Sequence, residues 1–142
     1  MKAKQVSVFL ENKSGRLNEV AQILGDAGIN ISAFTVADTS DFGVLRLIVS
    51  DPEKAIAALK ANHFSARVTD VVLAKSPNKP GALSRMLSIL NNEGVFIEYL
   101  YAFTMDKDTA VIVIRPTDIE KCVMKLEKHR DELLSDSGNY TI

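Results

Sequence analysis

The sequence predicts an α+β protein made of two copies of one β-α-β-β-α-β unit, and three observations carry that prediction. The first is an internal repeat. Shifted by 66 positions, the 142-residue chain overlays itself without a gap from residue 12 to residue 50, with nine identities over those 39 positions. Asn12, Lys13, Gly15 and Leu17 meet Asn78, Lys79, Gly81 and Leu83. Ile23, Leu24, Gly28 and Ile31 meet Ile89, Leu90, Gly94 and Ile97, and Ile48 meets Ile114. A repeat of this length sets the architecture before any single element is read. The second observation is that short β-type runs alternate with helical periodicity in the same order in both copies. The third is a glycine at matching places around the first helix of each copy.

Each element follows from its residues. Val6 to Leu10 is a short strand rich in Val and Phe. Leu17, Val20, Ala21 and Leu24 fall on one helix face, and Leu83, Met86, Leu87 and Leu90 repeat it. Gly28 and Gly94 stand where a helix end calls for a left-handed residue. Ile29 to Val36 and Val95 to Phe103 follow as strands, with polar turns at Asp38 to Asp41 and Asp106 to Asp108. Val44 to Val49 and Ala110 to Ile114 are apolar enough to be inner strands. Asp51-Pro52 reads as a cap and first position of the next helix. Thr117 with Glu120 matches a capping box ahead of Ile119, Cys122, Val123 and Leu126. Arg67 to Leu73 is a strand running without a break into the second copy, and Ser137 to Ile142 is a weaker strand at the corresponding place. Both helices of such a unit cover one face of an antiparallel sheet, the split βαβ or ferredoxin-like arrangement. The first unit is expected over residues 1–69 and the second over 70–142, joined into one eight-stranded sheet or packed as two sheets face to face.

Composition narrows the functional classes. Apolar residues make up 46% and charged residues 25%, the balance of a globular domain. Seventeen Lys and Arg against 18 Asp and Glu give no general attraction to nucleic acid or to an anionic membrane. One cysteine, Cys122, cannot form an intramolecular disulfide, which fits a reducing compartment. The apolar run near the start is too short for a signal peptide, and no window approaches ~20 apolar residues. The expectation is a cytoplasmic protein with no membrane segment, in which the sequon Asn139-Tyr140-Thr141 has no role.

The loop Glu11 to Leu17, with its copy Pro77 to Leu83, is the candidate site. The first turn of a helix carries backbone N–H groups without intrahelical partners and a partial positive charge, so it suits an anion. Gly15 and Gly81 remove the side chain that would hold a ligand off the backbone. Asn12 and Asn78 can donate and accept at once, which suits the carboxylate and ammonium of an amino acid. Asn and Gly in a strand-to-helix turn also need no ligand at all.

Strand, Asn-Lys-Ser-Gly-Arg-Leu, amphipathic helix, Gly-Ile-Asn-Ile, strand, hairpin, helix and strand together resemble the ACT domain. The second copy, with Asn-Lys-Pro-Gly-Ala-Leu and Gly-Val-Phe-Ile, resembles it as well, so the two cover nearly the whole chain. The resemblance implies a non-enzymatic regulatory module that binds small molecules, most often amino acids, at an interface between paired domains. It implies ligand contacts from Leu10, Asn12, Lys13, Ser14, Gly15 and Asn30 in the first copy. A weaker second site would use Ser76, Asn78, Lys79, Pro80, Gly81 and Phe96. Phe96 stands where the first copy has Asn30, and Leu10 and Ser76 stand where some serine-binding members have histidine. With nothing besides the two copies, such a chain would act on a separate enzyme partner, without a cofactor, as a homo-oligomer.

Other signals weigh less. His129-Arg130-Asp131 echoes a kinase catalytic loop but lacks the downstream asparagine and the glycine-rich loop. Two histidines and one cysteine make no metal-ligand cluster. Tyr99, Tyr101 and Phe103 alternate along one strand, as in RNA-binding sheets, but balanced charge and the missing signature favour packing between units or chains. An acylphosphatase on the same fold wants an arginine in a phosphate-cradling loop, and Arg16 is the one arginine near either loop. The alternative to ligand binding is a structural or interaction module with no retained site.

Overall fold

A computed structural model describes residues 1–11, 13–38 and 41–134. Among them the element order is β1 (Lys2–Glu11), α1 (Arg16–Asp26), β2 (Ile31–Asp38), β3 (Phe42–Val49), α2 (Pro52–Ala61), β4 (Ser65–Pro77), α3 (Ala82–Asn92), β5 (Ile97–Thr104), β6 (Thr109–Pro116), α4 (Ile119–Lys128) and α5 (Arg130–Leu134). The chain divides into two compact units, one of Lys4–Thr69 and one of Met1–Ala3 with the chain from Asp70 onward. Six strands, not eight, serve the two units among the described residues, because β1 and β4 each run through both. The strand expected over Ser137 to Ile142 lies outside the described residues.

In the first unit the strand order is β2-β3-β1-β4, all antiparallel where registered. Side chains alternate across a strand, so Val6, Val8 and Leu10 of β1 share a face with Leu47, Leu45 and Gly43 of β3. That face is the core, closed by Val20 and Leu24 of α1 and by Ala55 and Leu59 of α2. The second unit repeats the order as β1-β4-β6-β5, with Met1–Ala3 in the place of its fourth strand. The Leu73 N–H donates to the Met1 carbonyl at 2.8 Å, and the Met1 ammonium donates to the Leu73 carbonyl at 3.1 Å. Its core joins Val72, Ala74, Ile112 and Ile114 to Met86, Leu90, Cys122 and Leu126.

Three details correct the sequence reading. Val6 of β1 faces Leu47, and its equivalent Val72 faces Ile114, so Leu47 rather than Ile48 is the partner of Ile114. The hairpin from β5 to β6 is one residue longer than that from β2 to β3, which shifts the pleat by one. The cap of α4 is Asp118, whose carboxylate accepts from the Lys121 N–H at 3.0 Å, and not Thr117. The Thr117 N–H instead donates to the Phe96 carbonyl, as Ser50 does to Asn30 in the first unit. The third concerns length: β1 and β4 run well beyond Val6 to Leu10 and Arg67 to Leu73 because each belongs to two units.

Candidate functional site

The two strand-to-helix loops have one backbone shape. Gly15 has φ 87° and ψ −9°, and Gly81 has φ 86° and ψ −14°. This is left-handed backbone, which a glycine adopts at little cost. No side chain caps α1 or α3. The other two long helices are capped, α2 by Asp51 onto the Lys54 N–H at 3.1 Å and α4 by Asp118. At α1 and α3 the first amides, of Arg16 and Ala82, donate to the Lys13 and Lys79 carbonyls at 3.4 and 3.3 Å, and the N-cap glycine offers no side chain to the amides behind them.

Around the first loop, Leu10 is buried in the core. Asn12 lies outside the described residues. Lys13, Ser14 and Gly15 are exposed. The Lys13 ammonium sits 2.7 Å from Glu11, and this partner holds the Glu11 carboxyl below its ordinary range. Arg16 pairs with Glu19 at 3.2 Å and lies over the Phe64 ring at 5.9 Å, so it is engaged on the helix rather than in a phosphate cradle.

Asn30 is exposed at the start of β2, and its backbone N–H donates to Ser50 Oγ at 3.0 Å while its carbonyl accepts from the Ser50 N–H. The loop and Asn30 are not brought together within the unit. Leu10 pairs with Gly43, whereas Ile31 pairs with Val49. Six residues of β3 separate those partners, about 20 Å at ~3.3 Å per residue.

The second loop is built differently despite its backbone. The Asn78 side-chain amide donates to the Lys107 carbonyl at 3.2 Å, and its backbone N–H donates to the Asp108 carbonyl at 2.8 Å. Asn78 is thereby used to tie down the β5–β6 hairpin. Asp106 completes that hairpin by accepting from the N–H groups of Asp108 and Thr109. Ser76 is buried, and its hydroxyl donates to the Pro77 carbonyl at 3.3 Å. Lys79 is half-buried, and its carbonyl accepts from the Ala82 N–H at 3.3 Å. Pro80 and Gly81 are exposed, and Phe96 leaves 67% of its surface in solvent where the first copy has an amide.

One cluster has no signal in a linear reading. Glu93, just past α3, accepts from Lys125, Lys128 and His129 at 2.9, 2.9 and 3.0 Å. The hydrogen bonds from His129 and the two lysines hold its carboxyl far below the usual range. The other ring nitrogen of His129 is 3.0 Å from Glu132. Glu93 and His129 lie 36 positions apart, so only the fold unites them. His129 of the His-Arg-Asp run is thus part of an ion cluster at a helix junction. Cys122 is fully buried, and burial pushes its thiol up to about 11.

Among the described residues, no helix is long and apolar enough to cross a membrane, and no group of three metal-ligating side chains forms.

Comparison with known proteins agrees with this architecture. A family model described as an ACT domain pair matches residues 1–136. The structure is similar to that of protein BT0572 from Bacteroides thetaiotaomicron, with 53% identity, a TM-score of 0.87, and coverage of 92% of this chain and 90% of that one. The fold is shared with the regulatory subunit of aspartate kinase from Thermus thermophilus at 13% identity and a TM-score of 0.65, covering 90% and 96% of the two chains. A shorter stretch is 37% identical over 49 residues to the acetolactate synthase small subunit of Buchnera aphidicola, spanning 34% of this chain and 31% of that protein. The role that goes with this module is regulatory and non-catalytic, with small molecules as ligands. From the repeated unit, the paired left-handed glycines and a family match over almost its whole length, the chain belongs to the ACT domain pair family.

Proposed function

We propose that this protein senses a small carboxylate-bearing ligand, an amino acid above all, and regulates a separate partner enzyme. The observation that carries the reading is the contrast among the helix starts. Two are capped by Asp51 and Asp118, while the two behind Gly15 and Gly81 are not. Uncapped amides beside a left-handed glycine suit a carboxylate. The first loop is the main site, because Asn78 is already bonded to the hairpin and Phe96 replaces Asn30. The curated relative is by its name one subunit of an enzyme, which supports action on a separate catalytic chain. The lone cysteine supports a reducing compartment such as the cytoplasm.

Asn30 lies about 20 Å along the strands from the loop of its own unit. Both can touch one ligand when Asn30 comes from a second molecule, so the proposal includes a homo-oligomer. A thermal-shift screen over the twenty amino acids tests it. A ligand at a hundredfold excess over Kd stabilises by about 2.7 kcal/mol, a shift of several degrees. Asn12→Ala and Asn30→Ala should each remove the shift, and Asn78→Ala should leave most of it. Mixing the Asn12→Ala and Asn30→Ala chains should restore part of it, because one composite site in the mixed pair is intact. A screen with no response would favour the second reading, an interaction module alone, for which the structural use of Asn78 is the supporting observation in the second unit.

A further inference from the structure

A cavity of about 500 Å³ lies within the second unit. That volume is in the range of small-molecule sites. Phe103 and Val111 line it from the sheet, and Leu126 of α4 and Leu133 of α5 line it from the helices. Phe103 and Val111 belong to one cross-strand row, Lys75–Val111–Phe103, so the Lys75 side chain shares their face. The equivalent row of the first unit is Phe9–Val44–Ala37. There the Phe9 ring holds the end of the row, with Arg67 over it at 5.7 Å. The second unit has a lysine in place of Phe9 and an aromatic ring in place of Ala37. It thereby sets an exposed cation at one end of an apolar surface.

Charge narrows the class of occupant. The charged groups lining the cavity are Lys75, Glu127 and Arg130. Glu127 lies 4.0 Å from Arg130, so those two offset each other. Lys75 makes no ion pair among the described residues, which leaves one positive charge in surplus. Asp106 and Asp108 line a smaller hollow that Lys75 also borders, and neither is paired with it. Asp106 is spent on the N–H groups of Asp108 and Thr109. We propose that this cavity binds an amphipathic aliphatic carboxylate, its head on the Lys75 ammonium and its chain along Phe103, Val111, Leu126 and Leu133. An apolar body with one negative end matches both halves of the lining. The site shares no residue with either loop, so it stands apart from the amino-acid reading above.

Titration of the 142-residue chain with decanoate, kept below its micelle concentration, tests this by calorimetry and methyl NMR. Decanoate should bind saturably and shift the methyl signals of Val111, Leu126 and Leu133. Lys75→Met should weaken decanoate about tenfold, the worth of one charge-assisted contact, and leave the affinity for decanol unchanged. Lys75 is exposed, so the variant keeps the core intact. Absence of saturable binding would overturn the proposal. So would shifts confined to other methyl groups, or a Lys75→Met chain that weakens neither ligand or both alike.

Discussion

At Gly15 and Gly81 the backbone is left-handed, and a Cβ added at either would meet nothing within 4 Å. Space is therefore not the constraint; the backbone is. Gly15→Ala and Gly81→Ala should each cost about 1–2 kcal/mol, by nearly equal amounts, in urea unfolding. Cys122 offers the opposite case, a reactive group made inert by its surroundings. With no exposed surface and a thiol pushed up to about 11, it should resist a thiol reagent at pH 8 until the protein is unfolded. The caps show how far local chemistry can be read. Asp51 is legible despite the adjoining Ser50, because Pro52 suits the first helical position and so marks the residue before it as the cap. At Thr117-Asp118 two capping residues adjoin, and a long-range bond from Thr117 to Phe96 decides between them. Asp118→Ala should cost about 1 kcal/mol and Thr117→Val much less, by the same unfolding measurement.

Elements inherit this mixture of local and distant causes. Spacing alone picks out Val20, Leu24, Met86 and Leu90, which are buried, but of the same faces Leu17, Ala21 and Leu83 stay exposed, because the first turn and the flank of each helix lie outside the core. A hairpin lengthened by one residue is not readable from an ungapped repeat, because Ile48 aligned with Ile114 in sequence lands on the other side of the pleat. The junction of α4 and α5 was not readable at all. A neutral imidazole has one N–H, so His129 can donate to both Glu93 and Glu132 only as the imidazolium. These bonds raise its pKa above the ordinary 6.5, while Glu93 is held below 4.5. The sign follows from linkage. The His129 contribution is complete below pH 6.5 and is lost as pH climbs through the raised folded value. The Glu93 contribution is complete above pH 4.5 and is lost as pH falls toward its lowered folded value. Melting temperature should therefore be highest between those limits. His129→Gln should flatten the alkaline fall, and an unchanged fall would assign it to other groups.

For the whole molecule, the repeat and the two candidate loops are legible because they recur in the sequence, whereas the exchange of Met1–Ala3 into the second unit is not. Nothing in three short residues says which strand they will join. A chain beginning at Lys4 should lose the Met1–Leu73 bonds and the Lys2–Glu120 pair at 2.7 Å, while the first unit, Lys4–Thr69, keeps all its strands. Faster amide exchange at Leu73 with no change at Val8 or Leu45 would show it. The exposed Lys2–Glu120 pair itself adds little, so most of the loss should trace to the backbone bonds.

That exchange also imposes a schedule on synthesis. Met1–Ala3 are made about 70 residues before Asp70 to Leu73, the stretch that receives them, a delay of roughly 4–14 s at ~5–20 residues per second. By then all of Lys4–Thr69 has been made and can hold β1 in place. Met1–Ala3 would then wait as a ready edge on which the second unit assembles. Damage to the first unit should delay the second, with no reciprocal effect, so the order of birth becomes a dependence between two halves that otherwise look alike.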